Sequence, residues 1–105
     1  MVKCKISVLK LTVNQELADE YCKSKTGICT KFKVGDEFIA ESPMQMPEGF
    51  CGYAWHDLHR LLLALMTGGN FGSYSWNWMK DDDTMIACCT DGIRPVIFKM
   101  ERIEE

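Results

Sequence analysis

The chain contains 105 residues, of which 47% are hydrophobic and 26% are charged, and its net charge is −3. This length and composition are those of one globular domain spanning residues 1–105, and they exclude a disordered or fibrous protein. The basic residues are scattered, so no nucleic-acid partner is expected. The longest strongly apolar run, 61–66, is too short to cross a membrane.

The cysteine content is the most unusual feature of the composition. The stretch 1–13 alternates lysine with apolar residues and lacks the continuous apolar segment of a signal peptide, so a soluble cytoplasmic protein is expected. Six cysteines are many for that compartment. In a reducing cytoplasm they indicate metal binding, catalysis or core packing rather than disulfides.

The first predicted elements are a strand and a short helix. Apolar and polar residues alternate over 3–13, with Cys4, Ile6 and Val8 on one face, which is typical of a strand. Asn14 is a suitable N-cap, and a helix is predicted over 15–21.

The middle of the chain combines a loop, a strand and the main helix. The loop 22–34 ends at a Gly-Asp turn, after which a short strand is predicted over 37–41. A Pro- and Gly-punctuated stretch follows. The main helix is predicted over 53–66, closed by Gly68 and Gly69.

The last part of the chain predicts a hairpin. An aromatic loop and three aspartates occupy 70–83, and strands over 84–89 and 95–103 are joined through Asp91-Gly92, a strong turn signal. The order β-α-β-α-β-β predicts an α+β fold. A small antiparallel or mixed sheet would carry the main helix on one face.

The cysteines differ in what their positions indicate. Cys4 shares a strand face with apolar residues, so core packing is expected. Cys22 and Cys29 share a lysine-rich loop at a spacing looser than a CxxC zinc knuckle. Cys51 precedes the main helix, whose N-terminal amides favour a thiolate. Cys88 and Cys89 are neighbours on a strand and point to opposite faces.

One hypothesis brings these thiols together around zinc or an iron–sulfur cluster in an accessory or redox module. Its ligands would be Cys29, Cys51 and either Cys88 or Cys89, with Cys22 as a fourth. Four thiolates close such a site, whereas three leave an open position.

Two alternatives stay open. Cys51 is a candidate catalytic nucleophile, with His56 or His59 on the same helix as its base. In the second alternative the thiols are inert, and the protein is a structural or oligomeric module without a metal. The aromatic loop 71–80, with Trp76 and Trp78, would then bind a second copy or another protein. A solvated run is expected for the aspartates at 81–83, whose spacing is not that of a calcium loop.

Over most of its length the sequence resembles a family of short, uncharacterised, cysteine-containing bacterial and archaeal proteins. The similar segments are Gly49-Phe50-Cys51, Ala54-Trp55, Ala87-Cys88-Cys89-Thr90-Asp91-Gly92 and Arg94-Pro95-Val96-Ile97-Phe98. The resemblance implies a shared fold and a three-cysteine site at Cys29, Cys51 and Cys88 or Cys89. Members of that family have no assigned reaction.

Overall fold

A computed structural model describes residues 2–73 and 77–104. Over these residues the predicted order β-α-β-α-β-β and the α+β fold are confirmed. The elements are β1 Val2–Leu11, α1 Gln15–Tyr21, β2 Glu37–Ala40, α2 Gly52–Met66, β3 Thr84–Cys89 and β4 Val96–Glu104. No helix in these two ranges is long and apolar enough to cross a membrane.

The four strands form one sheet in the order β2-β1-β4-β3, and every neighbouring pair is antiparallel. The long strands β1 and β4 are central and pair from Val2↔Glu104 to Leu11↔Val96, with a bulge between Val8 and Lys10. The shorter strands β2 and β3 are therefore the two edges of the sheet.

The core lies between α2 and one face of the sheet. Residues two apart on each strand share a face, and the apolar side of α2 covers that face. The fully buried side chains include Ile6 and Val8 from β1, Phe98 and Met100 from β4, and Leu58, Leu62 and Leu65 from α2. The opposite face of the sheet carries exposed ion pairs, among them Lys5–Glu37 at 3.2 Å.

Arg102 of β4 ties the end of α2 to the start of β3. Its guanidinium donates to the carbonyl oxygens of Leu65 at 2.9 Å and Gly69 at 2.7 Å, and it forms an ion pair with Asp83. The carbonyl groups at a helix C-terminus lack intrahelical partners, so this contact both satisfies them and fixes the helix against the strand.

Candidate functional site

Three cysteines from three separate segments line one cavity of about 270 Å³, which we call the cysteine cavity. They are Cys29 from the loop before β2, Cys51 at the start of α2 and Cys89 at the end of β3. The remaining wall is formed by Phe32, Tyr53, Thr90, Asp91 and Arg94.

Cys51 is the N-cap residue of α2 and is partly exposed. A turn over 47–50, with Phe50 N donating to the Pro47 carbonyl at 3.2 Å and Gly49 at φ 82°, delivers it to this position. The Cys51 carbonyl accepts the first helical hydrogen bond, from Trp55 N at 2.9 Å. Its thiol makes no capping hydrogen bond to the first turn of α2.

The position of Cys29 depends on an aromatic cluster. Phe32, three residues further along the loop, is buried, and its ring centroid lies 5.3 Å from that of Phe50 and 5.2 Å from that of Phe98. Phe50 precedes Cys51 in the chain. The contact between these phenylalanines therefore holds the two cysteine-bearing segments next to each other over the sheet.

Cys89 is the most buried thiol of the cavity, with 8% of its surface exposed. Burial raises its pKa, hydrogen bonds with the Val96 backbone and the Thr90 side chain act against that rise, and negative charge on Cys29 and Cys51 adds to it. The three thiols are thus close enough to interact electrostatically, and Cys89 favours its neutral form in the absence of a cation.

The turn between β3 and β4 forms the rest of the cavity wall. Asp91 Oδ1 accepts hydrogen bonds from Arg94 N at 3.0 Å and Ile93 N at 2.8 Å, and these bonds lower the pKa of the carboxyl. Asn14 fixes the same turn, because its backbone N donates to the Ile93 carbonyl at 2.6 Å. The ordered turn brings Arg94 to the cavity.

The other cysteines lie elsewhere. Of the neighbours Cys88 and Cys89, only Cys89 lines the cavity, and Cys88 is exposed on the other side of the edge strand. Cys22 ends α1 and does not line the cavity either. Cys4 is fully buried in the core as expected, and burial raises its pKa to about 11.

Neither histidine of α2 faces the thiols. His59 Nε2 lies 2.6 Å from the Pro43 carbonyl oxygen, and its ring packs on Trp55 at a centroid distance of 5.6 Å. His56 is exposed beside it. Among the described residues that line the cavity, none is a histidine that could act as a base for Cys51.

The predicted aromatic loop is described only in part, because Trp76 lies outside the described residues. Phe71 is buried, and its carbonyl accepts from Trp78 N at 2.9 Å, while the Trp78 side chain is 64% exposed. The aspartates that follow are used locally: Asp82 accepts from Ser73 N at 2.9 Å, and Asp81 accepts from Asp83 N at 2.7 Å.

The donor set of the cysteine cavity suits a soft metal, whereas its present geometry is open. Thiolates are the preferred ligands of zinc and of iron–sulfur clusters. Within the described ranges, however, no three His, Cys, Asp or Glu side chains are close enough together to hold a metal ion. Coordination would require the thiols to turn toward the centre of the cavity.

Comparison with protein-family models, with curated proteins and with solved structures finds no match to this chain. The fold and the site define a two-layer α+β protein with three thiols in one cavity. The resemblance to the short cysteine-containing family stays a prediction.

Most residues of the cavity wall could not be predicted from the sequence. Phe32, Tyr53 and Arg94 carried no motif that would connect them to the cysteines. The one usable signal was Asp91-Gly92, because a tight turn directly after Cys89 returns the chain to the same end of the sheet.

Proposed function

We propose that this protein binds a soft metal ion or an iron–sulfur cluster through Cys29, Cys51 and Cys89, as an accessory or redox module. The observation that carries the proposal is the presence of three thiols, from segments far apart in the chain, around one cavity. Three protein thiolates leave one coordination position for water, a substrate or an external ligand.

The cavity wall contains one positive and one negative side chain, Arg94 and Asp91, whose charges offset each other. Three thiolates around a divalent ion carry a net charge of −1, so the occupied site would keep a charge of −1. Asp91 already accepts two backbone hydrogen bonds, so its role is to hold the turn and not to bind the ion. Cys22 and Cys88 do not line the cavity, so the proposed ligand set leaves them out.

Proton release gives the proposal a pH signature. A thiol must lose its proton to bind a metal, and burial raises the pKa of Cys89. Metal affinity should therefore increase as the pH rises toward the pKa of this thiol. We expect competition with a chromophoric chelator to show that zinc affinity rises with pH in the wild type and equally in Cys88→Ser, which keeps all three thiols of the cavity.

Elemental analysis of anaerobically purified protein tests the proposal directly. We expect stoichiometric zinc or iron in the wild type, and loss of that metal in Cys51→Ser and Cys89→Ser. Cys88→Ser and Cys22→Ser are matched controls, because each removes one thiol outside the cavity. Metal-free wild type of normal stability would refute the proposal, as would equal metal loss in the controls.

A second candidate function is a nucleophilic thiol at Cys51, favoured by its place at the N-cap of a fifteen-residue helix without a capping hydrogen bond. This candidate predicts that iodoacetamide labels Cys51 faster than the exposed Cys88 at neutral pH, read by peptide mass spectrometry. The metal proposal instead predicts that loading with zinc protects Cys29, Cys51 and Cys89 and leaves Cys88 reactive.

A further inference from the structure

A second cavity, separate from the cysteine cavity, runs between α2 and the edge strand β3 and has a volume of about 400 Å³. We call it the edge groove. Leu61 of α2 and Met85 and Ala87 of β3 give it an apolar floor, and Phe71 and Trp78 also line it. A groove between a helix and a free strand is a known site for an added strand.

Backbone hydrogen bonds alternate in direction along β3, and this alternation shows which N–H and C=O groups point away from β4. Arg102 N donates to the Asp83 carbonyl at 2.8 Å, and Arg102 lies opposite Asp83 when the β3–β4 register is extended by one pair. Residues alternate in direction along an antiparallel strand, so Met85 and Ala87 bond to β4. Ile86 and Cys88 therefore present their N–H and C=O groups to the outer edge.

That outer edge is a place where a further strand can bind. β3 ends the sheet, and no backbone hydrogen bond outside the sheet is found for Ile86 or Cys88 within residues 2–73 and 77–104. Its residues 85–90 carry no charge. Natural edge strands are often blocked by charges or proline, and the sequence 85–90 contains neither.

The polar groups of the groove indicate the chemistry of its occupant. Asp57 lines the groove, and its Oδ2 atom is buried without a hydrogen-bond partner among residues 2–73 and 77–104. A buried carboxylate oxygen without a donor is costly, and a cationic side chain would satisfy it. Among the described residues of the wall, Arg60 is the one basic side chain, and it is exposed. Acidic residues stand before β3 at 81–83 and after it at Asp91.

From these observations we infer that the edge groove binds an extended segment of a partner protein, which adds as a fifth strand beside β3. One apolar side chain of that segment lies on the floor near Leu61 and Met85. A neighbouring lysine or arginine reaches Asp57. The backbone of the segment exchanges hydrogen bonds with Ile86 and Cys88.

A second copy of this chain fits the edge less well. Antiparallel pairing of two β3 strands about Ala87 would place Asp83 opposite Asp91 of the other copy, because both are four residues from Ala87. Like charges directly opposite each other destabilise a strand pair. The net charge of −3 also favours a basic partner over self-association.

Selection from a phage library of random dodecapeptides against the full-length protein tests the inference. We expect enriched peptides to combine an apolar residue with a nearby lysine or arginine. A fluorescent copy of the selected peptide should bind the Ile86→Pro variant about tenfold more weakly than the wild type, since proline removes an outward N–H and leaves the bonds to β4 intact.

The matched control is Ile39→Pro. Ile39 lies on the other edge strand, its exposure of 43% is close to the 37% of Ile86, and its backbone also points outward, since Val8 N bonds to Asp36 in the β1–β2 register. It should bind the peptide as the wild type does. Absence of any enriched peptide, or equal loss of binding in both proline variants, would overturn the inference.

Two further measurements do not depend on a proline variant folding. Methylation of the peptide nitrogens one at a time should weaken binding at alternate positions only, because an added strand uses every second N–H. Asp57→Asn should abolish the preference for a basic residue. Uniform effects of methylation, an unchanged preference in Asp57→Asn, or dimerisation of the wild type that Ile86→Pro prevents would each contradict the proposed occupant.

Discussion

The cysteine cavity and the edge groove both involve α2 and β3, yet they are built in opposite ways. The cavity takes its three thiols from segments far apart in the chain, and each thiol is placed by packing and turns. The groove takes its binding groups from the backbone of one edge strand, whose free side follows from the strand order. Substitutions that disturb side-chain packing should therefore affect metal binding in the cavity. Substitutions that block the outer backbone groups of β3 should affect peptide binding in the groove.

Phe32→Ala is expected to have the largest effect, and that effect should fall on the cysteine cavity. Phe32 is 2% exposed and joins the loop of Cys29 to Phe50 and Phe98. Truncating a buried phenylalanine lowers the free energy of unfolding by about 3–5 kcal/mol. Urea denaturation measures this loss, and metal binding should weaken as well.

Phe71→Ala is the comparison variant for Phe32→Ala, because Phe71 is buried beside the edge groove and does not line the cysteine cavity. It should weaken peptide binding and leave the metal content unchanged. If Phe71→Ala lost the metal and Phe32→Ala kept it, the assignment of packing to the cavity would be wrong.

Arg102→Ala should have the next largest effect, on the groove side. It removes the guanidinium donor from the carbonyl groups of Leu65 and Gly69 and from the half-exposed carboxylate of Asp83, although Leu65 keeps a hydrogen bond from Gly68 N at 3.3 Å. A hydrogen bond to a charged group contributes about 1.5–3 kcal/mol, and we expect a net loss of about that size in urea denaturation. Arg60→Ala, which removes an exposed arginine, should change stability by less than about 0.5 kcal/mol.

The free energy of unfolding at high pH depends on the core thiol of Cys4, which lies outside the cysteine cavity. Burial raises the pKa of Cys4 from 9.0 to about 11. The folded state therefore keeps a proton that the unfolded chain loses, so the contribution of Cys4 is full below pH 9.0 and is lost as the pH rises to about 11. We expect the free energy of unfolding of the metal-free protein to be lower by about 3 kcal/mol once the pH has passed the pKa of folded Cys4.

The control for the pH measurement is Cys4→Val, which keeps an apolar side chain of similar size and removes the titrating group. Its free energy of unfolding, measured by urea denaturation across the same pH range, should fall less steeply than that of the wild type. Parallel curves for the two proteins would show that Cys4 does not contribute.

The smallest effect is expected on the open face of the sheet, which belongs to neither region. Lys5 and Glu37 form an ion pair at 3.2 Å with side chains that are 32% and 56% exposed. Such pairs contribute about 0.5 kcal/mol or less, and salt screens them. Lys5→Ala should leave metal content and peptide binding unchanged, and a large loss in either would mean that the open face supports that region.

Local patterns were sufficient for the elements and insufficient for the site. The predicted bounds of α1 and β3 match the structure, and α2 begins one residue before its predicted start, because caps, turns and alternation act over a few residues. Which of Cys88 and Cys89 lines the cavity depends on how β3 is oriented in the sheet. That Cys22 does not line the cavity depends on the path of the loop after α1.

The α+β order, the burial of Cys4 and the place of Cys51 at a helix start could all be predicted from local sequence, since each depends on neighbours along the chain. The shared cavity of Cys29, Cys51 and Cys89 and the edge position of β3 became visible only in the folded structure. Those two facts depend on contacts between distant segments, here the packing of Phe32 on Phe50 and the pairing of β4 between β1 and β3. Such contacts lower the free energy only once the whole core has formed, so no local pattern records them.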